Sequence, residues 1–207
     1  MHVIFRESHG LEETVQPVDL QQTPADMVVL SFSDSDLGAF SVGWHNAKED
    51  LPSLRLANLA ALQHPLSVDT YIEQTLRDAK AVLVRLIGGM PYWSYGLQQL
   101  RAVAEENGIA LAVLAADGRA DSQLDDISTL PVSTLRRLRQ LCDAGGPDAA
   151  SAALAQLALS AGLFARPKIG QKNPPRVGGW SLQNRLSCPA AFALRVIPKP
   201  AVVLFLE

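Results

Sequence analysis

Cysteine is scarce in this chain. Of 207 residues only Cys142 and Cys188 are cysteine, and neither lies in a CxxC pair or beside a histidine cluster. That usage offers no zinc ligand set and no disulfide framework, and it suits a reducing cytoplasm. Aromatic residues make up 6% of the chain, so the core must be built mainly from Leu, Val, Ile and Ala. Long apolar runs are missing as well. No stretch reaches the roughly 18 residues that a membrane helix needs. The opening MHVIFRESHG turns polar after five residues, which predicts no signal peptide and a cytoplasmic protein. The familiar chemical motifs are absent too: there is no Walker A loop, no GxGxxG, no HExxH and no serine nucleophile elbow.

What is present suffices for a folded domain. Apolar residues reach 48% and charged residues 19%, a balance that excludes disorder for the bulk of the chain. The net charge of −3 argues against nucleic-acid and anionic-membrane partners. The average hides an asymmetry. Residues 166–200 hold seven basic groups and no acid, whereas residues 1–165 hold 11 basic and 20 acidic groups, a net of −9.

The hydrophobic pattern alternates between strand-like and helix-like segments. His2–Phe5 reads as a first strand. Met27–Phe32 and Ala81–Ile87 are continuous apolar runs, as is Ile109–Ala115, and such runs predict strands buried on both faces of a parallel sheet. Leu51–Leu59 alternates in part and is a further candidate strand. Ser33-Asp34-Ser35-Asp36 supplies capping chemistry for a helix over about 37–47. Ser67 is the expected cap of a helix in which Val68, Ile72, Thr75, Leu76 and Ala79 recur at helical spacing. Another helix is expected from about Tyr95 to Glu106, stopped by Asn107-Gly108. Residues 116–128 read as a loop. Two helices follow, from Pro131 to Asp143 and from a cap at Asp148 to about Leu163. The expected fold is therefore α/β, an open and mostly parallel sheet with helices on both faces, flavodoxin-like or Rossmann-like. It should span residues 1–164. Residues 165–200, with six prolines, read as a basic linker. Residues 201–207 then look like a buried strand that either joins the preceding sheet or, as the preferred reading, opens a missing domain.

Ligands in such sheets bind outside the carboxyl ends of the strands. Three segments occupy those places: 33–36, 58–67 with His64, and 85–95. The last is the richest. Gly88 and Gly89 free the backbone, and Tyr92, Trp93 and Tyr95 gather three of the chain's twelve aromatic residues. The cluster suits stacking on a flat ring or lining an interface, and packing against helices is the plainer alternative. Arg85 sits in a buried-type strand and needs a partner, an acid of the chain or a bound anion. His64 precedes Pro65 and is expected in extended backbone. His2, His9 and His45 have no ligand spacing. Asp34 and Asp36 read as capping residues rather than a metal pair. The candidates for a ligand or interface are thus His64, Arg85, Gly88, Gly89, Tyr92, Trp93 and Tyr95. No catalytic or metal-binding residue is identified.

The segments PADMVVLSFSDSDL at 24–37, SLRLANLAA at 53–61, HPLSVDTYIEQTL at 64–76 and AKAVLVRLIGGMPYWSYGLQQL at 79–100, in that order, resemble the N-terminal region of the cobaltochelatase large subunit, the CobN family. STLPVSTLRRLRQLCDAGGPDAASAALAQLA at 128–158 extends the resemblance, which covers about residues 1–163. That family is related to the porphyrin-binding subunit of magnesium chelatase. The resemblance implies ATP-dependent insertion of cobalt(II) into hydrogenobyrinic acid a,c-diamide in aerobic cobalamin synthesis. It implies two smaller AAA+-type subunits and the corrinoid as partners. The family's large subunit is several times longer, and its metal insertion belongs to a downstream region. The chain by itself is therefore expected to be a truncated form that binds no cofactor and is not catalytically competent. The stretch 168–195 departs from the family pattern. A non-enzymatic interaction module is the alternative, with a stand-alone flavodoxin-like ligand-binding domain behind it.

Overall fold

A computed structural model describes residues 16–166 and, beyond them, the strand segments 177–181, 185–187 and 203–205. His2–Phe5, read as a first strand, lies outside the described residues. So do Cys188 and most of the stretch read as a linker. The chain divides into two units, Met1–Lys168 and Ile169–Glu207.

The first unit is built on four parallel strands: β1 (Met27–Ser31), β2 (Leu54–Asn58), β3 (Ala81–Leu86) and β4 (Ala110–Ala115), in the order β2-β1-β3-β4. Every residue of β1, β3 and β4 is buried, which accounts for their unbroken apolar composition. Successive side chains point to opposite faces. On one face Val28, Leu30, Val82, Val84, Leu111 and Val113 join Leu76, Trp93, Leu97 and Leu124. That face is covered by α2 (Pro65–Tyr71), α3 (Ser94–Asn107) and α4 (Ser122–Ile127). On the other, Met27, Val29, Leu83, Ala112 and Leu114 join Phe40, Leu135, Leu138 and Leu154. These come from α1 (Asp34–His45), α5 (Val132–Ala144) and α6 (Gly146–Ser160). The α/β sheet with helices on both faces is as the pattern predicts.

Four local expectations change. Residues 116–128 are not all loop, because Asp121 accepts hydrogen bonds from the N–H groups of Gln123 and Leu124 and starts α4. The cap of α2 is His64, whose Nδ1 accepts from the Leu66 N–H at 3.1 Å, while Pro65 takes the first helical position. The Ser67 hydroxyl instead receives the Val18 N–H at 2.7 Å. Helix α2 runs on into a π-helical turn over Ile72–Leu76, where Thr75 Oγ1 donates to the Gln22 carbonyl. Helix α6 begins at Gly146 without a side-chain cap, and Asp148 lies in its first turn.

Side chains bond to backbone groups on both sheet edges. On β2, the Gln22 side chain donates to the Leu56 carbonyl and Arg55 Nη1 to that of Leu54. On β4, the hydroxyls of Thr129 and Ser128 accept from the N–H groups of Leu111 and Val113 at 2.8 and 2.9 Å. These contacts satisfy backbone groups that an open edge would offer to another strand.

In the second unit, β5 (Val177–Ser181) pairs antiparallel with both β6 (Arg185–Ser187) and β7 (Val203–Phe205). The final strand thus pairs with β5 within this unit.

Candidate functional site

In the order β2-β1-β3-β4 the connections diverge between β1 and β3. A crevice at such a switch point, outside the carboxyl ends, is the ligand position of doubly wound sheets. Strand register places Ser31, the last residue of β1, beside Arg85 of β3. Both share the parity of Met27, Val29 and Leu83, so both face α1, α5 and α6. Arg85 is 4% exposed. Its Nη2 donates to Asp143 Oδ1 at 3.2 Å, and its Nε lies 3.2 Å from Asp36 Oδ2. The second contact is one of charge, since that oxygen is off the N–H axis and Nε has no hydrogen-bond acceptor. Ser31 donates to the same Asp36 oxygen at 3.3 Å and accepts the Ser33 N–H at 3.1 Å. Ser33 is the cap of α1, and Asp34 and Asp36 occupy its first turn.

This cluster borders a cavity of about 170 Å³ lined by Asp36, Phe40, Arg85, Cys142, Gly146 and Ala150 among others. One guanidinium faces two carboxylates there, a local excess of one negative charge. Burial pushes the Cys142 thiol up to about 11, against the opposing pull of Arg85. A buried thiol of that kind stays protonated at neutral pH and is a poor nucleophile.

The opposite half of the edge is apolar and open. Gly88 and Gly89 adopt φ of 85° and 76°, values that only glycine takes freely. The ring of Tyr92 lies over Gly88, where a Cβ would overlap it. Trp93 turns inward and is 6% exposed, and its Nε1–H donates to the Leu62 carbonyl at 2.7 Å. Gly96, one turn on, leaves the space its indole fills. Tyr95 donates to Asp69 at 2.8 Å, a bond that raises the phenol's pKa. Trp93 is therefore a packing residue, while Tyr92 is 66% exposed.

Of the residues singled out in the sequence, His64, Gly88, Gly89, Tyr92, Trp93 and Tyr95 belong to the α2–α3 half. Arg85 belongs to the other, because its position along β3 has the opposite parity to Leu86 and Val84. Sequence reasoning missed Asp143, Ser31 and Cys142 as neighbours of Arg85. It also missed the exposure of Leu66 and Ile87 beside the aromatic loop. Parity along the two strands could have paired Ser31 with Arg85, but nothing in the sequence pointed to Asp143. Among the described residues no group of three His, Cys, Asp or Glu side chains could hold a metal ion, and no helix is long and apolar enough to cross a membrane.

No family model matches the chain. It is 37% identical over 148 residues to the aerobic cobaltochelatase subunit CobN of a Sinorhizobium species, a match covering 72% of this chain and 12% of that protein. It is 38% identical over 146 residues to the CobN subunit of Pseudomonas aeruginosa, covering 70% of this chain and again 12% of the relative. Among solved structures, the catalytic subunit of cobaltochelatase from Mycobacterium tuberculosis superposes with a TM-score of 0.56 at 23% identity, over 75% of this chain and 12% of that one. That likeness is one of fold.

Proposed function

This chain is a relative of the aerobic cobaltochelatase subunit CobN, of which it spans 12%, and on that premise we propose that it serves cobalt insertion in cobalamin biosynthesis as a non-catalytic α/β domain. The identity of 37–38% carried across some 70% of the chain is the observation that carries this reading. The reaction would be ATP-dependent insertion of cobalt(II) into hydrogenobyrinic acid a,c-diamide in the cytoplasm. Cobalt and the corrinoid are its substrates, and two AAA+-type subunits supply the ATP hydrolysis. Within this assembly the unit supplies a rigid sheet whose carboxyl edge makes contacts. Arg85 acts through Asp36 and Asp143 to hold that edge together and does not act on the metal. The test is reconstitution. A CobN-type subunit lacking the matching stretch is combined with the ATPase subunits, ATP, cobalt(II) and the corrinoid. Adding this chain is expected to restore insertion, followed by the corrin absorption. Folded chain that neither binds the shortened subunit nor changes turnover would overturn the reading.

The exposure of Tyr92 and Leu66 at the carboxyl edge favours a second reading, an interaction module without a part in turnover. Binding to the shortened subunit with no gain in insertion would select it.

A further inference from the structure

Among the described residues nine large apolar side chains are exposed, and four of them lie on one edge of the α/β unit. Leu66, Ile87, Tyr92 and Tyr95 are 54%, 51%, 66% and 38% exposed. All four follow the carboxyl ends of β2 and β3. Tyr92 covers Gly88, next to Ile87, and Tyr95 reaches Asp69, three residues along α2 from Leu66. The frame beneath is fixed by the buried Trp93, its bond to Leu62, and Pro91 in the first turn of the 3₁₀ segment. A rigid apolar patch of this kind gains free energy by being covered, and aromatic side chains are frequent anchors of interfaces.

The charges around the patch say what covers it. The Asp69 carboxylate accepts from Tyr95, and that of Asp121 lies against Gly89. Asp34, in the first turn of α1, accepts from Asn58 at the end of β2 at 2.7 Å. Asp117 follows β4 and lies 3.9 Å from Arg119, an exposed cation on this edge. Arg85 is occupied by Asp36 and Asp143 on the opposite face. His64 is the neighbouring imidazole, with its Nδ1 used in capping α2. Asp69 and Asp121 thus place two carboxylates against the segments that carry the aromatic surface.

We propose that this edge docks a basic segment of a partner protein, an apolar anchor flanked by Lys or Arg. The carboxylates would steer such a segment and a guanidinium would stack on the open face of Tyr92. A polycarboxylate macrocycle would meet the same field with the opposite sign. Exposure and charge carry the proposal, and it stands apart from the chelatase reading.

The test pans a displayed library of random peptides on the full chain, with counter-selection on a Tyr92→Ser, Leu66→Ser double variant. The best peptide is then synthesised and titrated while backbone amide shifts are followed. Enriched peptides are expected to be net positive with an apolar anchor, and to shift amides at 64–69 and 87–95. The double variant is expected to bind at least about tenfold more weakly with its melting temperature kept. Asp69→Asn with Asp121→Asn, which preserves the cap of α4, is expected to weaken binding about threefold and to reduce its salt dependence. No enrichment, enrichment of acidic or uncharged peptides, shifts elsewhere, or full binding by the double variant would each overturn the proposal. So would stronger shifts of the same amides by hydrogenobyrinic acid a,c-diamide than by any peptide.

Discussion

On one face of the sheet's carboxyl edge Arg85, 4% exposed, is clasped by Asp36 and Asp143. On the other, Tyr92 stands 66% exposed over Gly88. The first half buries charge and answers it with charge. The second holds an aromatic surface open by burying its neighbour Trp93 beneath. Both halves depend on the same strand, β3, and differ because successive residues leave a strand on opposite sides. The comparison separates residues that hold the fold from residues it presents.

The sharpest way to break that separation is Trp93→Ala. If Trp93 is support rather than surface, the variant should lose about 4 kcal/mol in urea unfolding, through the emptied space and the unpaired Leu62 carbonyl. An unchanged midpoint would move Trp93 to the presented group. Arg85→Met is next, with an expected loss of about 3 kcal/mol because two carboxylates are left facing each other. Adding Asp36→Asn and Asp143→Asn should return much of it, as the repulsion is then gone. A loss that the added changes leave untouched would mean that packing, not charge, explains Arg85.

Cys142 sharpens the buried half in a third way. Its thiol is pushed up from 9.0 to about 11 by burial. The unfolded chain then loses this proton before the folded one does, so stability falls as pH rises from about 9 to 11. The loss is on the order of 2 kcal/mol, and Cys142→Ala should flatten that part of the profile. Equal slopes in the two proteins would contradict it. The smallest effect belongs to the open half. Tyr92→Ser should change stability by within about 0.5 kcal/mol in the same unfolding assay.

Much of the fold was legible before any tertiary information. Met27–Phe32, Ala81–Ile87 and Ile109–Ala115 are continuous apolar runs because they are buried on both faces, and each strand lies within one residue of its run. Gly108 ends α3 in the left-handed conformation, as Asn107-Gly108 predicts. The misses have local causes. Helix α4 has six residues, too few for a helical period to show in a polar stretch. Ser67 has the usual capping chemistry for α2, whereas a histidine before a proline does that work. The candidate site was legible as a cluster of glycines and aromatics, but not as two separate halves.

By itself, then, the sequence determined which segments become strands, since their burial is written in composition. It also determined that residues 88–96 would be a tight aromatic loop after a buried strand, and it carried the likeness to CobN. Tertiary structure alone decided that Arg85 meets Asp143, 58 residues away, and that Trp93 points in while Tyr92 points out. The reason is physical. Strand burial follows from local hydrophobicity, whereas pairing of distant side chains depends on strand order and on the helices packed against each face. No local pattern records either.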